Sequence, residues 1–306
     1  LVGQEEKIRA ELAQHGASDE IPVHHASEVV AMDEPPMKAI RSKTDSSIRK
    51  ACELVKTGRA EAVVSAGNSG AVMACAVLVL GRIKGIERPA LASVFPSTTG
   101  PTVLIDVGAN MDCQPRHLLQ FGIMADVLAK TILAYPNPKV ALLSVGEEDA
   151  KGNEQTRRAH DLLRHSPLNF IGNVEGRDIF SGNAQVIVCD GFVGNICLKL
   201  SEGMAQAMTA MLKREFKGGV PFQLGAWLLK PAFNRFNKTI DYAEYGGAPL
   251  LGVQGAAYIC HGSSKSRAIM NAARVAGEGI NQGYKDKLTE VLTSYRELAG
   301  EASESH

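Results

Sequence analysis

Short apolar runs that lead into polar, glycine-bearing turns recur along the chain, and a helix-like pattern follows each turn. In the clearest case, the apolar run at 186–189 leads into Asp190, a turn with two glycines, and a helical pattern at 196–204. A second case has a strand at 62–65, a polar turn at 66–70 and an apolar helix at 71–80. A buried strand, a glycine turn and a helix start form the unit that builds ligand sites in α/β proteins.

The same alternation of strand and helix patterns continues through most of the chain. Further strands are predicted at 90–95, 102–107, 140–145 and 169–174, and further helices at 5–15, 48–56, 120–135 and 154–163. We therefore predict an α/β fold in three α/β/α layers, with a mostly parallel sheet, as one domain spanning 1–306. Because ligands collect at the carboxyl ends of such strands, the polar turns are expected to converge on one cleft.

Residues 211–237 differ in texture, because large apolar side chains alternate there with basic ones. The cations of this region are Lys213, Arg214, Lys217, Lys230, Arg235 and the following Lys238, and Glu215 is its one acid. We predict a helical hairpin insertion at about 205–240 whose apolar tip contacts an anionic membrane surface. The residues assigned to this contact are Phe222, Leu224, Trp227, Leu228 and Phe233. A dimer contact and a helix packed on the core are the alternatives.

Composition narrows the class of protein. The 33 basic and 33 acidic residues give a formal net charge of +0, so no overall field favours nucleic acid. The six cysteines lack C-x-x-C spacing and most lie in apolar runs, which predicts reduced core thiols rather than disulfides or a zinc site. The longest purely apolar run, 71–80, is too short to span a bilayer. These features indicate a cytoplasmic protein without a metal.

Several standard catalytic signatures do not occur in the sequence. There is no G-x-x-x-x-G-K-[ST] phosphate loop and no G-x-G-x-x-G, and Ala71 replaces the last glycine of a hydrolase-type G-x-S-x-G elbow. Amide-rich turns at helix starts remain, and such turns bind an anion and polarise a carbonyl group. The alternative is that these glycine turns serve only to reverse the chain.

Seven blocks of sequence, in the same order, closely resemble the PlsX-type phosphate acyltransferases. The blocks are S-A-G-N-S-G at 65–70, D-V-G-A-N at 106–110, K-G-N-E at 151–154, F-I-G-N-V-E-G-R-D at 170–178, D-G-F-V-G-N at 190–195, Y-G-G-A-P-L-L-G at 245–252 and H-G-S-S at 261–264. The resemblance covers residues 1 to about 280. It implies a fold similar to phosphotransacetylase and isocitrate dehydrogenase.

The resemblance also implies a reaction and a set of partners. Inorganic phosphate would attack the thioester of acyl-carrier protein and give an acyl phosphate. A membrane glycerol-3-phosphate acyltransferase would then use that product in phospholipid synthesis. The resemblance further implies a homodimer at the membrane surface, and we expect no cofactor. Family members open with a strand and a D-A-M-G-G-D turn, so we expect the present chain to lack these parts of the family pattern.

On this basis we assign the phosphate to the helix start at 67–70 and to one cation. The backbone of Gly67, Asn68, Ser69 and Gly70 and the side chains of Asn68 and Ser69 are expected to hold it. Arg177 is expected to supply a bidentate charge, oriented by Glu175. The structural alternatives are a helix cap at Ser69 and a surface ion pair at Arg177.

The acyl-transfer chemistry is assigned to residues of four other blocks. Asn195 and the Gly194 amide are expected to stabilise the oxyanion, and Asp190 to orient the nucleophile or take its proton. Lys151 is expected to neutralise charge or polarise the thioester, the alternative being a solvated loop lysine. His261 is the candidate proton donor to the leaving thiolate, the alternative being a helix-capping histidine.

Two further residues, Asp106 and Asn110, are expected to line the cleft. Two rival functions also fit these residues. One is a short-chain phosphotransacetylase that acts on coenzyme A thioesters. The other is an inactive scaffold that docks acyl-carrier protein or the membrane enzyme.

Overall fold

A computed structural model describes residues 1–17, 20–216, 218–240 and 246–304. The chain divides into two compact units, Leu1–Pro89 with Gly246–His306, and Ala90–Tyr245. Residues Lys217 of the basic region and Tyr245 of the sequence blocks lie outside the described residues. The single-domain assignment stays a prediction.

The strands, in chain order, are β1 (Val2–Gly3), β2 (His24–His25), β3 (Ala62–Ser65), β4 (Ala90–Ser97), β5 (Gly100–Ile105), β6 (Val140–Leu143), β7 (Phe170–Val174), β8 (Val186–Val188), β9 (Ala248–Leu251) and β10 (Ala256–Ile259). The helices are α1 (Glu5–Gln14), α2 (Pro36–Ser42), α3 (Ser47–Lys56), α4 (Ser69–Cys75), α5 (Pro115–Thr131), α6 (Glu154–Arg164), α7 (Gly191–Glu215), α8 (Val220–Ile240), α9 (Ser266–Asn281) and α10 (Tyr284–Glu304). The α4 helix continues as a π-helical turn at Ala76–Leu80, and Gly176–Phe180 forms a 3₁₀ turn.

In the first unit, β10 pairs with β3 in parallel and with β9 in antiparallel orientation, and β1 pairs with β2 in parallel. The parallel pairing aligns Ile259 with Ser65, so the two strands end side by side. The turns at 66–70 and 261–264 therefore leave the same edge. The core under this edge is formed by α3 and α4, where Cys52, Ala71 and Cys75 are fully buried.

In the second unit, the strand order is β4-β5-β8-β6-β7. The β5–β8, β8–β6 and β6–β7 pairs are parallel, and only β4–β5 among these is antiparallel. Val186, Ile187 and Val188 of β8 are fully buried, which contributes about 1.5–3 kcal/mol each. Helix α5 is buried along most of its length and packs on β8 and β5. The predicted α/β fold with a mostly parallel sheet is confirmed.

Several element boundaries differ from the sequence prediction, among them the start of α7. The 191–195 stretch was predicted to be a turn, but α7 begins at Gly191 because the Asp190 side chain accepts a hydrogen bond from Val193 N at 2.8 Å. The predicted hairpin at 205–240 corresponds to the second half of α7 and to α8. Pro36 begins α2, where its fixed φ suits the first helical position.

Candidate active site

Asp106, directly after β5, organises the turn at 106–110. Its side chain is fully buried and accepts five hydrogen bonds. The donors are the backbone N–H groups of Leu91, Gly108, Ala109 and Asn110 at 2.7–3.2 Å, and Asn110 Nδ2 at 2.8 Å. Burial raises the pKa of Asp106, although the hydrogen bonds oppose that shift. Asp106 and Asn110, which is 6% exposed, therefore shape the turn from beneath, whereas we expected them to line a cleft.

The start of α7 follows β8 and is locked onto this turn. Gly191 N donates to Asn110 O at 2.8 Å, and Gly194 N donates to Asp190 O at 2.9 Å as an ordinary helical bond. The Gly194 amide is therefore occupied and its residue buried, so the oxyanion role expected for it has no free donor. Asp190 uses one carboxylate oxygen as the helix cap. In the described part of the chain, only Phe192 among the first four amides of α7 lacks an acceptor.

The Asn195 side chain lies over the glycine of the neighbouring turn. A β-carbon on Gly108 would sit 3.5 Å from Asn195 Oδ1 and 3.6 Å from its Cβ, and Gly108 has φ of +135°. Asn195 is half-buried, and its side-chain amide donates to no acceptor among the residues that the structure describes. The structure thus brings together Asn195 and the Asp106–Asn110 turn and leaves one amide donor available.

The tips of β6 and β7 carry the two predicted cations. Arg177 Nη2 lies 3.2 Å from Glu175 Oε2 and 3.3 Å from Glu147 Oε1, with 71% of its side chain exposed. The expected pairing of Glu175 with Arg177 is present, and two carboxylates partly neutralise the guanidinium. Lys151 is exposed, and its aliphatic stem packs over Gly146, where an added β-carbon would lie 2.9 Å from Lys151 Cγ.

In the first unit, the turn after β3 uses its polar groups differently from the prediction. Asn68 is 6% exposed and caps α4 by accepting Ala71 N on Oδ1 at 3.0 Å. Its Nδ2 donates to the carbonyls of Ala31, Met32 and Glu34 at 3.0–3.2 Å, so the side chain has no group left for phosphate.

The backbone of the same turn is only partly available. Gly67 N donates to Ser65 Oγ at 3.2 Å. The N–H groups of Ser69 and Gly70, the first two residues of α4, have no acceptor among the described residues. The backbone N–H of Asn68 also has no acceptor among the described residues, so three of the four residues predicted in this turn keep a free backbone amide. Gly70 itself is packed by Pro36, whose Cγ would lie 2.6 Å from an added β-carbon.

His261 follows β10, beside the turn after β3. Ser263 N donates to His261 Nδ1 at 3.2 Å, and Ser263 Oγ lies 2.6 Å from the same nitrogen. A backbone N–H can only donate, so Nδ1 is the acceptor and the ring proton of the neutral histidine is on Nε2. The neighbouring Gly262 approaches Ala66 O, which places His261 and the 66–70 turn on one edge of this unit.

Four of the five predicted membrane-contact residues are exposed on α8. Phe222, Leu224, Trp227 and Leu228 are 58–68% exposed. Phe233 is half-buried, and its ring stands edge-on to Phe216 at a centroid distance of 5.0 Å, so it holds the two helices together. Within the described part of the chain, no helix combines the length and the apolar content needed to cross a bilayer.

Some residues near these turns were missed from the sequence. Asn173 and His160 are buried beside the 146–152 loop and contact its backbone or its acids. Asn173 lies inside a recognised sequence block, but nothing in its local pattern distinguishes it from a solvent-facing asparagine. Among the described residues, no group of three or more histidine, cysteine or acidic side chains is arranged to hold a metal ion.

Solved structures with a similar fold define the class of protein. A phosphotransacetylase from Streptococcus pyogenes aligns with a TM-score of 0.61 and 17% identity, covering 92% of this chain and 85% of that protein. The EutD phosphotransacetylase from Staphylococcus aureus aligns with a TM-score of 0.57 and 13% identity, covering 90% and 85%. The chain is thus an α/β protein with the fold of the phosphotransacetylases.

Closer relatives identify the family. Residues 1–287 match the family model described as fatty acid synthesis protein. The chain is 54% identical to the phosphate acyltransferase of Trichlorobacter lovleyi, covering 96% of this chain and 85% of that protein. It is 56% identical to the phosphate acyltransferase of a Geobacter species, covering 95% and 83%. The chain belongs to this fatty acid synthesis protein family, as its resemblance to the PlsX-type enzymes predicted.

Proposed function

We propose that the protein transfers an acyl group from the thioester of acyl-carrier protein to inorganic phosphate. The observation that carries the proposal is the 54–56% identity, over nearly the whole chain, to proteins named phosphate acyltransferase. The geometry supports it, because free amides follow the strand ends in both units, at Ser69 and Gly70 and at Asn195. Phosphate is itself the nucleophile, so this reaction needs no nucleophilic side chain.

In the proposed reaction, a phosphate oxygen forms a bond to the thioester carbonyl carbon. The C–S bond breaks, the electron pair leaves with sulfur, and the thiolate takes up a proton. Asn195 Nδ2 donates to the carbonyl oxygen while that oxygen carries negative charge, which contributes about 3 kcal/mol. Arg177 and Lys151, which belong to the same unit as Asn195, balance negative charge. In the other unit, the free Ser69 and Gly70 amides at the start of α4 form a candidate anion site of their own.

Two protein groups are assigned proton-related roles. Asp190 caps α7 through one carboxylate oxygen, and its other oxygen is assigned to orient the nucleophile or take its proton. His261 presents Nε2–H as a hydrogen-bond donor, because its Nδ1 is held by Ser263. Phosphate is already largely ionised at neutral pH, since its second pKa resembles the value of about 6 of phosphoryl groups, so a strong base is not required.

The test is a thiol-release assay with a C16 acyl thioester. With acyl-carrier protein as leaving group, release should depend on phosphate and should be matched by acyl phosphate trapped as hydroxamate. Faster turnover of the coenzyme A thioester would instead favour a phosphotransacetylase. If neither thioester releases thiol in a phosphate-dependent way, the proposed function is wrong and the inactive scaffold remains as the alternative.

The tip of α8 supports a peripheral position on the cytoplasmic side of a membrane. Phe222, Leu224, Trp227 and Leu228 are exposed, and Lys230 and Arg214 lie on the same two helices. An amphipathic ring such as that of Trp227 sits readily at a lipid interface, and cations favour anionic lipids. There the acyl phosphate would reach a membrane glycerol-3-phosphate acyltransferase, the partner that the resemblance implies, for use in phospholipid synthesis.

A long apolar stripe on α7 supports a homodimer. The stripe residues recur every three or four positions and are 49–66% exposed. They are Phe192, Ile196, Leu200, Met204, Met208 and Met211. An apolar stripe of this length on a helix is normally covered, and a second copy of the chain would cover it.

Light scattering tests this dimer face. The wild type should have twice the mass of one chain, and Leu200→Glu should lower the measured mass to that of one chain. An unchanged mass in the variant would contradict a dimer formed through the α7 stripe.

A further inference from the structure

A bulge in β7 turns Asn173 towards the loop that carries Lys151. The register pairs Phe170 with Val140 and Asn173 with Leu142, so three steps along β7 match two along β6. Gly172, with φ of +100°, supplies the extra residue. In a regular strand, residues three apart face opposite sides, but the bulge places Asn173 on the same face as Phe170.

On that face, Asn173 holds the loop at 146–152 from below. Asn173 is 7% exposed, and its Nδ2 donates to Glu148 O at 2.9 Å. The same carbonyl accepts Lys151 N at 2.9 Å. One oxygen therefore joins the buried asparagine to the backbone of the lysine, whose stem lies across Gly146.

A second contact holds the middle of the loop through Asp149. His160 Nε2 lies 3.2 Å from Asp149 Oδ1, and Arg164 Nη2 lies 2.5 Å from Oδ2. His160 is 2% exposed and stands edge-on to Phe170 at 5.1 Å, so its ring position is set by packing. His160 Nε2 has no hydrogen-bond partner among the described residues, so its approach to Asp149 is a close contact rather than a strong pair.

Two buried polar atoms under the 146–152 loop lack hydrogen bonds that would stabilise the fold. Asn173 Oδ1 and Ser144 Oγ are both buried without a hydrogen-bond partner among the described residues. Unpartnered buried polar atoms destabilise a fold, and an apolar side chain of similar shape would avoid that cost. A role in placing the loop accounts for an asparagine at this position better than a role in folding.

We propose that Asn173, together with the His160–Asp149 contact, is a positioning residue for Lys151. It acts by fixing the 146–152 backbone so that the ammonium group meets the charge of the phosphate or of the thioester oxygen. The inference rests on the proposed function, because it assigns Lys151 a part in the reaction. It predicts that the effect of Asn173 on turnover passes through the Lys151 side chain.

The experiment is a double-mutant cycle with Asn173→Leu and Lys151→Met, assayed by formation of acyl phosphate from acyl-carrier protein thioester. Asn173→Leu should raise KM for phosphate or lower kcat by about tenfold, with an unchanged or higher Tm because an unpartnered acceptor is removed. In the Lys151→Met background, the same substitution should change kcat/KM less than about twofold. Equal effects in both backgrounds would overturn the proposal.

Asn169→Leu is the matched control. Asn169 also donates from Nδ2 to a backbone carbonyl, that of Asn137 at 3.3 Å, but at the opposite end of the same two strands. This variant should keep wild-type turnover, and a loss as large as that of Asn173→Leu would also overturn the proposal. If the wild type itself forms no acyl phosphate, the proposed function fails first; if the wild type is active but the effects add, only this inference fails.

Discussion

Gly194 packs against the carbonyl oxygen of Asp106 so closely that no side chain fits between them. A β-carbon on Gly194 would overlap that oxygen and would come within 2.9 Å of Cys189 Sγ. The contact sets the first turn of α7 on the turn after β5, and this places Asn195 above Gly108. Gly194 therefore contributes shape, whereas its amide is used by the helix itself.

Gly194→Ala should destabilise the fold by about 1–3 kcal/mol, because the added methyl group must push α7 away from Asp106. Urea unfolding measures the loss. Gly277→Ala is the control, since Gly277 lies inside α9 with no atom within 4 Å of its added β-carbon. That variant should gain about 0.5–1 kcal/mol. Equal behaviour of the two variants would contradict the close packing.

Asn195→Ala should lower kcat for acyl phosphate formation by about a hundredfold, because the donor to the developing oxyanion is lost. The circular dichroism spectrum should not change, since the Asn195 side-chain amide makes no hydrogen bond within the described chain. Asn183→Ala, at an exposed turn asparagine before β8, should keep normal turnover. Normal kcat in Asn195→Ala would remove this residue from the reaction.

Arg177→Ala should raise KM for phosphate at least tenfold, an effect of about 1.4 kcal/mol, by removing a cation from the tip of β7. The ion pairs with Glu147 and Glu175 limit the effect, because the two carboxylates already neutralise part of the guanidinium charge. Arg158→Ala tests specificity, since Arg158 forms an exposed pair with Glu154 on α6 at 2.8 Å. A rise in KM of similar size in both variants would point to general electrostatics.

Acid stability should depend on Asp45, which ties down the segment that holds Asn68. Ser27 donates to its Oδ2 from Oγ at 2.6 Å and from N at 2.8 Å, and these bonds lower the pKa of Asp45 to about 2. A lowered folded pKa gives stability that is present above the unfolded value of 3.8 and is lost as pH falls towards 2.

The urea midpoint of Asp45→Asn should therefore lie below that of the wild type at pH 6, and the gap should close between about pH 4 and 2. Ser27→Ala should show part of the same loss, because only the Oγ donor is removed. A gap that stays constant down to pH 2 would show that the contribution of Asp45 to stability does not depend on its charge.

Flotation with anionic liposomes tests the α8 tip. Wild-type protein should float with the vesicles, and Trp227→Glu and Phe222→Glu should stay in solution, because each places a charge in the apolar contact. Met270→Glu serves as the control, since Met270 is 63% exposed on α9, outside α7 and α8. Equal flotation of all four proteins would end the proposed membrane contact.

The strand–turn–helix units could be predicted from the sequence because hydrophobic periodicity is a local property. The β3 strand matches the predicted residues 62–65, and the paired strands β4 and β5 lie around the predicted turn. The family could also be predicted, since seven ordered blocks survive as linear sequence. The apolar character of Phe222 and Trp227 was equally plain from the chain itself.

The tertiary structure alone decided which polar groups of those turns remain available. Asn68 is occupied by carbonyls 34 to 37 residues away, and Gly191 by Asn110, so no local pattern could show that these groups are used. The direction of the Asn173 side chain likewise depends on a β-bulge, which is defined by the pairing of β7 with β6. Hydrogen-bond partners and strand register are set by segments distant in sequence, whereas periodicity is set by neighbours, and this is why the elements could be predicted and the site only in part.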